Sequence, residues 1–307
     1  MELTSETIAQ AAAPEPARAI RPGASALVFF NEKAGSVTAA DREKLVEALA
    51  TCDIGQIALI DAEKISRRLF ARAKDFDVII VLGGDGTARA AAEVAPRDGP
   101  PLILLPGGTL NILPRALYGE RAWPEALAAA LERGLVKRLP VGRANDEPFY
   151  VAALFGGTTQ LVHVREAVRE GKPLTAWRRL RIALKRSFTH TLRARIGKQR
   201  MKSIEAIGVL LPSFSGGIEA EDLEWVRLDA HHVLDLARVG IRALTAGWRN
   251  DPAIEIARTK TGDIDASLGY IHATLDGEPR RFYSRVHIKY DARGPRVLAL
   301  EPEPEAA

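Results

Sequence analysis

The sequence predicts an α/β domain with a parallel sheet and helices on both faces, followed by a mainly antiparallel β-sandwich domain. Its length of 307 residues fits two domains of roughly 150 residues each. In the first half, short apolar runs alternate with helical patterns, whereas in the second half apolar and polar residues alternate along short segments. Hydrophobic residues make up 47% and charged residues 27%, values that exclude a coiled coil and a wholly disordered chain.

The domain boundaries follow from these patterns. We expect the α/β domain at residues 24–143 and the β-sandwich at 144–300. The Ala- and Pro-containing start at 1–23 and the Glu-Pro repeat at 301–307 are typical of disordered tails.

The first domain is predicted from its alternating elements. Buried strands are expected where apolar and β-branched residues cluster, at residues 26–30, 56–60, 78–82 and 102–105. Helices are expected where apolar residues recur at helical spacing, at residues 40–52, 65–73, 87–95 and 123–134. Sheets of this kind bind ligands at the carboxyl ends of their strands.

Three glycine-containing loops follow predicted strands at that edge. They are residues 31–35 (Asn-Glu-Lys-Ala-Gly), 83–87 (Gly-Gly-Asp-Gly-Thr) and 106–111 (Pro-Gly-Gly-Thr-Leu-Asn). Glycine lets the backbone approach a ligand closely, and a following helix turns its free N–H groups toward the loop, which suits phosphate. Asp85 would repel a phosphate unless Mg²⁺ lies between the two. The alternative is that these loops are ordinary tight turns, since neither the P-loop nor the dinucleotide fingerprint is present.

The second and third loops, about twenty residues apart, resemble the catalytic domain of diacylglycerol kinases. This family includes sphingosine and ceramide kinases and bacterial soluble lipid kinases. Residues 275–278 (Leu-Asp-Gly-Glu) are similar to its Asp-Gly-Glu signature, so the resemblance covers about residues 24–300. NAD kinases share the first motif and are more distant relatives.

The resemblance implies an ATP site between the two domains, with Mg²⁺. It implies Asp276 as the general base for a lipid hydroxyl, and Asp85 and Glu278 as carboxylates that organise Mg²⁺-ATP. The nucleotide-binding positions that it implies, besides Asp85 and Glu278, are Asn31, Gly35, Gly83, Gly84, Gly86, Thr87, Gly108, Thr109 and Asn111. The sequence differs from the usual family pattern at Glu32, where proline is common, and at residues 112–115.

The second half is predicted to form antiparallel strands. They are expected at residues 149–155, 203–211, 225–228, 234–239, 253–258, 270–275, 285–290 and 297–300. Asp276 follows one of them on its polar face. A plain Asp-Gly hairpin turn is the alternative interpretation of that position.

Residues 165–202 are strongly basic, with thirteen Lys or Arg and two Glu. Within them, apolar side chains from Leu174 to Phe188 fall on one helical stripe, a pattern typical of a helix that lies on an anionic membrane. The alternative is a helix that packs on its own domain. We expect no nucleic-acid partner, because the stretch lacks a recognisable binding motif.

Three hypotheses for function remain open at this point. The first is a cytoplasmic lipid kinase, peripheral at the inner membrane face, because residues 1–22 lack a secretory signal and no apolar run approaches the ~18 residues that span a bilayer. The second is an NAD kinase-like enzyme. The third is a lipid-binding module of the same fold without catalysis. Cys52 is the one cysteine, which excludes a disulfide framework.

Overall fold

The computed structural model describes residues 20–61, 65–156, 192–198, 201–204, 206–212, 221–228 and 254–301. The expected helix around residues 174–188, the expected strand at 234–239 and most of both expected tails lie outside the described residues. The described strands form two sheets, one of six strands and one of ten.

The six-stranded sheet has the order β2-β1-β3-β4-β16-β5. Its strands are β1 (Ser25–Phe30), β2 (Gln56–Asp61), β3 (Val78–Gly83), β4 (Leu102–Pro106), β5 (Leu135–Arg138) and β16 (Arg296–Ala299). Strands β1 to β4 pair in parallel. Strand β3 is buried along its whole length, as its run of apolar and mostly β-branched residues predicts. The parallel sheet of the first domain is therefore confirmed.

Among the described residues, the α-helices that accompany this sheet are α1 (Ala40–Thr51), α2 (Asp85–Val94), α3 (Ile112–Tyr118) and α4 (Trp123–Arg133). Helix α2 packs on β3, and α4 packs on β4. The predicted helix at 65–73 forms only a 3₁₀ helix, Leu69–Asp75, and the sequence analysis did not predict α3. Helix α3 is only seven residues long and contains Pro114, so it leaves little helical periodicity to detect.

The ten-stranded sheet is antiparallel throughout, which confirms the class predicted for the second half. Its central path has the order β13-β12-β11-β8-β14-β15-β6-β7, with β9 paired to β14 and β10 to β9. The strands are β6 (Val141–Ala144), β7 (Glu147–Phe149), β8 (Ala152–Gly156), β9 (Leu192–Ile196), β10 (Lys202–Ile204), β11 (Ala206–Leu210), β12 (Leu223–Leu228), β13 (Ile254–Thr259), β14 (Thr261–Leu275) and β15 (Glu278–Asp291).

The core of the ten-stranded sheet lies on one of its faces. Phe149, Phe155, Trp225 and Val286 are fully buried there. Strands β14 and β15 are much longer than the predicted segments 270–275 and 285–290. A register shift between Asp265 and Tyr270 interrupts β14, so the apolar alternation on either side of it reads as a separate short strand.

The last strand corrects one expectation. Residues 297–300 were expected in the β-sandwich, but β16 lies in the six-stranded sheet, parallel to β4 at Val297 and antiparallel to β5. The chain therefore leaves the first sheet after β5 and returns to it at its end. Tyr150 and Val151, just before β8, belong to the buried core of the first sheet. The packing of Tyr150 and Val151 in this core holds the start of β8 against the α/β domain.

Candidate active site

The three glycine-containing loops are hydrogen-bonded to one another. The Gly107 N–H donates to the Gly83 carbonyl oxygen at 2.8 Å, and the Ser36 N–H donates to the Gly107 carbonyl oxygen at 3.0 Å. The Asn31 N–H donates to the Leu82 carbonyl oxygen at 3.0 Å. The loops therefore form one wall made largely of backbone.

This wall requires glycine where the loops approach most closely. A Cβ atom on Gly108 would lie 2.8 Å from the Gly84 Cα and 3.1 Å from the Asn111 Oδ1. The Gly84 Cα is backbone and cannot rotate away, so a side chain at Gly108 would push the second and third loops apart.

Three polar residues predicted to bind nucleotide brace these loops instead. The Asn31 Nδ2 donates to the Thr87 Oγ1 at 2.8 Å, joining the first loop to α2. The Asn111 Oδ1 accepts from the Gly108 N–H at 2.7 Å, and its Nδ2 donates to the Gly108 carbonyl oxygen at 2.9 Å. Asn111 has φ +52°, a left-handed conformation that asparagine tolerates better than most residues. These contacts hold the shape of the wall.

Asp276 forms the opposite wall, at the turn between β14 and β15. Its Oδ2 accepts the Tyr150 N–H at 2.8 Å, and its Oδ1 accepts the Val151 and Ala152 N–H groups at 2.8 and 3.0 Å. Its own N–H donates to the Ala152 carbonyl oxygen at 2.8 Å, and its φ is +49°. Burial raises the pKa of this carboxyl, while the three N–H donors act in the opposite direction. The carboxylate is therefore fixed in place and is a stronger base than an exposed one.

A cavity of about 690 Å³ lies between the two walls. Of the predicted site residues, the structure brings Gly35, Gly84, Asp85, Gly108, Thr109 and Asp276 together on its lining. Asn31, Gly83, Gly86, Thr87, Asn111 and Glu278 are not among the lining residues. The sequence therefore predicted both walls of the cavity but not which residues of each loop face it.

Glu278 is exposed, and the strand alternation explains why it does not reach the cavity. It pairs in register with Leu275, so both side chains lie on the face of the sheet opposite to Thr274, which lines the cavity. Glu278 therefore does not line the cavity that contains Asp85, and its role in organising Mg²⁺-ATP, which the resemblance implies, stays a prediction. Among the residues that the structure describes, no group of three or more His, Cys, Asp or Glu side chains could hold a metal ion.

The cavity lining also contains two cations that were not among the predicted site residues, Lys33 and Arg89. Arg89 lies one helical turn after Asp85, and its side chain is 14% exposed. Its guanidinium contacts Glu93 at 3.3 Å, and its buried Nε has no hydrogen-bond partner within the described parts of the chain. The positive charge of Arg89 lowers the pKa of Asp276. Arg89 could have been predicted from its spacing. It lies four residues after Asp85 on a helix that starts at the sheet edge, so the two side chains share one face of that helix.

Comparison with known proteins supports the resemblance. The sequence profile of the diacylglycerol kinase catalytic domain matches residues 25–144. The resemblance predicted from the glycine-rich loops is thereby confirmed. A curated diacylglycerol kinase from Bacillus subtilis (strain 168) is 33% identical over 95 residues, which cover 30% of this chain and 31% of that relative.

Solved structures share the fold of the whole described chain. A diacylglycerol kinase from Bacillus anthracis str. Sterne aligns with a TM-score of 0.63 at 17% identity, covering 91% of this chain and 97% of that one. An NAD kinase from Archaeoglobus fulgidus, in complex with ATP, aligns with a TM-score of 0.54 at 15% identity, covering 90% and 94%. The α/β domain followed by an antiparallel β-domain is therefore an arrangement known from both groups.

The cavity is lined in part by residues of the segment that matches the diacylglycerol kinase catalytic domain, and its lining suits a phosphorylated ligand. Three glycine-containing loops and the N-terminus of the ten-residue helix α2 lie at one wall, and Lys33 and Arg89 add two positive charges.

Within the described residues, no helix is long and apolar enough to cross a bilayer.

Proposed function

We propose that this protein is an ATP-dependent lipid kinase, which phosphorylates the hydroxyl of diacylglycerol or of a related long-chain lipid alcohol. One observation carries the proposal: Asp276, fixed by three backbone N–H groups, lies across one cavity from the glycine-rich loops of a diacylglycerol kinase catalytic segment. That placement supports a base and a phosphate donor on opposite sides of one acceptor hydroxyl.

The α/β wall would hold the nucleotide. The backbone at Gly35, Gly84 and Gly108 approaches the cavity without side chains, which leaves room for phosphate oxygens. Lys33 and the first turn of α2 would balance their charge. Mg²⁺-ATP, when bound, supplies the phosphoryl group that is transferred. The solved NAD kinase of the same fold was obtained with ATP.

Asp276 would accept the proton of the lipid hydroxyl. Its Oδ1 already accepts two N–H groups and its Oδ2 only one, so Oδ2 has the greater remaining capacity as an acceptor. The O–H bond of the acceptor would break and its oxygen would bond to the γ-phosphorus of ATP, while the bond from that phosphorus to the bridging oxygen breaks and ADP leaves. The proton would move to the Asp276 Oδ2. A base within hydrogen-bond reach contributes a factor of roughly 10² to 10⁴ to such reactions.

Asp85, through Mg²⁺, and Arg89 would help to neutralise the negative charge of the phosphoryl groups. Phosphoryl transfer depends on positioning and charge neutralisation more than on covalent chemistry. Asp85 is the cavity carboxylate placed to contact Mg²⁺, whereas the geometry gives no support to Glu278 in that role. The Arg89 guanidinium, mostly buried and next to the cavity, would donate to phosphoryl oxygens.

The apolar part of the cavity supports a lipid acceptor. Leu110 and Ile112 come from the α/β domain, Val151 lies just before β8, and Ala152 and Leu154 lie in β8. A mixed lining of this kind suits a molecule with a hydroxyl at one end and hydrocarbon at the other. Binding of an anionic membrane by residues 165–202 remains a prediction, because most of that stretch lies outside the described residues.

The test is transfer of labelled γ-phosphate from Mg²⁺-ATP to diacylglycerol, sphingoid base, ceramide, phosphatidylglycerol and NAD. We expect a labelled lipid whose formation is lost in Asp276→Asn, with nucleotide binding measured separately for both proteins. Labelled NADP in place of a labelled lipid would replace the proposal by an NAD kinase-like activity. ATP-independent vesicle binding without nucleotide binding or transfer would contradict an enzyme altogether.

A further inference from the structure

The outward face of strands β9, β14 and β15 combines exposed tyrosines with basic side chains. Alternate residues of these strands, such as Ile264, Val286 and Ile288, are fully buried in the core, so their neighbours face outward. The outward side chains form a surface that we name the basic–aromatic face. It comprises Arg193, Arg195, Asp263, Asp265, Tyr270, His272, Arg281, Tyr283, Arg285, His287 and Lys289.

Two tyrosines lie near the middle of this face. Tyr270 is 47% exposed and Tyr283 is 74% exposed, the largest exposure of any large hydrophobic side chain among the described residues. Their ring centroids are 5.5 Å apart with an edge-to-face arrangement. The Arg281 guanidinium carbon lies 3.9 Å from the Tyr270 ring centroid. The cluster is therefore held in a defined shape while it stays exposed to solvent.

The face carries a surplus of positive charge. It has five Lys or Arg side chains and two Asp, a formal net charge of +3 with neutral histidines. Asp263 is engaged by Arg195 and, at 2.9 Å, by the His287 Nδ1, and Asp265 accepts from the Arg285 Nε at 2.6 Å. Because both carboxylates already contact cations of the face, they do not repel an approaching anionic surface as strongly as isolated carboxylates would.

The face leads directly out of the candidate active site. Thr274 is 3% exposed and lines the cavity, while His272, two residues earlier on the same face of β14, is exposed. Tyr270 lies six residues from Asp276, which is roughly 20 Å along an extended strand. A flat partner on the basic–aromatic face would therefore reach the mouth of the cavity.

We propose that the basic–aromatic face docks on the surface of an anionic lipid bilayer, with Tyr270 and Tyr283 at the headgroup level. Tyrosine combines an apolar ring with a polar hydroxyl and is enriched at that depth of membranes. The cations match the negative potential of an anionic leaflet. Arg281 covers one face of the Tyr270 ring, which a nucleic-acid base would need for stacking, so a bilayer fits this face better than RNA does.

This docking surface shares Arg193 and Arg195 with the basic stretch 165–202, while its other residues lie outside that stretch. Its binding to a membrane does not depend on the kinase reaction. Membrane binding and phosphoryl transfer can therefore be measured separately. Failure of vesicle binding through this face would leave the kinase proposal unchanged, and absence of transfer would leave the docking surface unchanged.

The first experiment measures binding of the full chain to vesicles without nucleotide. Vesicles of phosphatidylcholine alone are compared with vesicles that also contain phosphatidylglycerol. We expect tighter binding to the anionic vesicles and weaker binding at high salt. The double variant Arg281→Gln, Tyr283→Ser should lose roughly five- to tenfold in affinity for anionic vesicles. Arg133→Gln, an exposed cation at the end of α4, is the matched control and should bind like the unaltered protein.

The second experiment places a probe on the face itself. In a Cys52→Ser background, Tyr283→Cys carries an environment-sensitive fluorophore, and Val136→Cys on β5, where Val136 is 47% exposed, carries the same label as control. We expect a blue shift and quenching by nitroxide-labelled lipids at position 283 only. Full vesicle affinity in the double variant, a probe at 283 that stays in water on bound vesicles, or binding of RNA oligonucleotides in preference to vesicles would each overturn the proposal.

Discussion

The two walls of the candidate active site are built from opposite materials. On the α/β side, the loops present backbone, and their polar side chains, such as Asn31 and Asn111, are used to brace one another. On the antiparallel side, one carboxylate, Asp276, is presented by a turn and held by backbone N–H groups. The glycine loops of the first wall depend on the absence of side chains at Gly84 and Gly108, whereas the second wall depends on the charge of Asp276.

This difference determines which substitutions should impair each wall. A backbone wall is damaged by adding atoms, because its close approaches leave no room for a Cβ. A carboxylate wall is damaged by removing charge, while its geometry survives a substitution of similar shape. The four predictions below test this distinction, in order of decreasing expected effect.

Asp276→Asn should reduce the rate of phosphoryl transfer by roughly 10² to 10⁴, because the acceptor proton loses its base. Nucleotide affinity should stay within about twofold, since the opposite wall is untouched. The amide adds N–H donors where backbone N–H groups already point, so a loss of about 1–3 kcal/mol in the free energy of unfolding is expected as well. Single-turnover rates, nucleotide titration and thermal unfolding separate these effects. Unchanged transfer by a folded variant would remove Asp276 from the mechanism.

Gly108→Ala should weaken nucleotide binding at least tenfold and destabilise the fold by about 1–3 kcal/mol, since the new Cβ would lie 2.8 Å from the Gly84 Cα. Gly84→Ala is the matched control on the other side of the same contact. Its Cβ would meet the Gly108 Cα at 3.5 Å, an ordinary contact, so its free energy of unfolding should be nearly unchanged. Equal destabilisation of both variants would contradict the asymmetry of the wall.

The sequence predicted the loops of the α/β wall because glycine marks positions where the backbone turns tightly or approaches another group closely. The spacing of residues 83–87 and 106–111 predicted which loops meet, and the structure joins them through the Gly107 N–H. It did not predict that Asn31 and Asn111 brace the loops, because a polar residue type does not reveal where its side chain points. Arg89 was missed for the related reason that it carries no motif of its own.

On the antiparallel side, the sequence predicted the faces of β14 but not the sheet in which β16 pairs. The alternation of Thr274 with Leu275 already assigns residues to the two faces of β14. A two-residue hairpin turn at Asp276–Gly277, the alternative interpretation of that position, pairs Glu278 with Leu275 and would have separated Glu278 from the cavity. The return of β16 to the first sheet could not be predicted in this way. A short apolar strand carries no local record of the sheet in which it pairs.

Arg89→Met should lower the transfer rate about tenfold at neutral pH and change its pH dependence. Asp276 must be ionised to accept a proton, and burial raises its pKa above the ordinary value of 3.8, so the rate should rise with pH through a limb above 3.8. Because the Arg89 cation lowers that pKa, its removal should move the limb to higher pH. Single-turnover rates across pH measure the shift. Arg72→Met, at an exposed position of the 3₁₀ helix, should leave the limb in place.

Gly86→Ala should have the smallest effect of the four variants. It tests directly whether the nucleotide phosphates lie over the first turn of α2. Gly86 is in the first turn of α2, is exposed, and a Cβ there would meet no heavy atom within 4 Å. Alanine is the better helix former, so the free energy of unfolding should rise by up to about 1 kcal/mol. If nucleotide phosphates lie over this turn, the same methyl group should lower nucleotide affinity in a protein that is more stable. Thermal unfolding with and without nucleotide measures both. A stabilised variant with unchanged affinity would mean that the phosphates do not approach α2 at Gly86, and would leave Gly84 and Gly108 as the part of the backbone wall that contacts them.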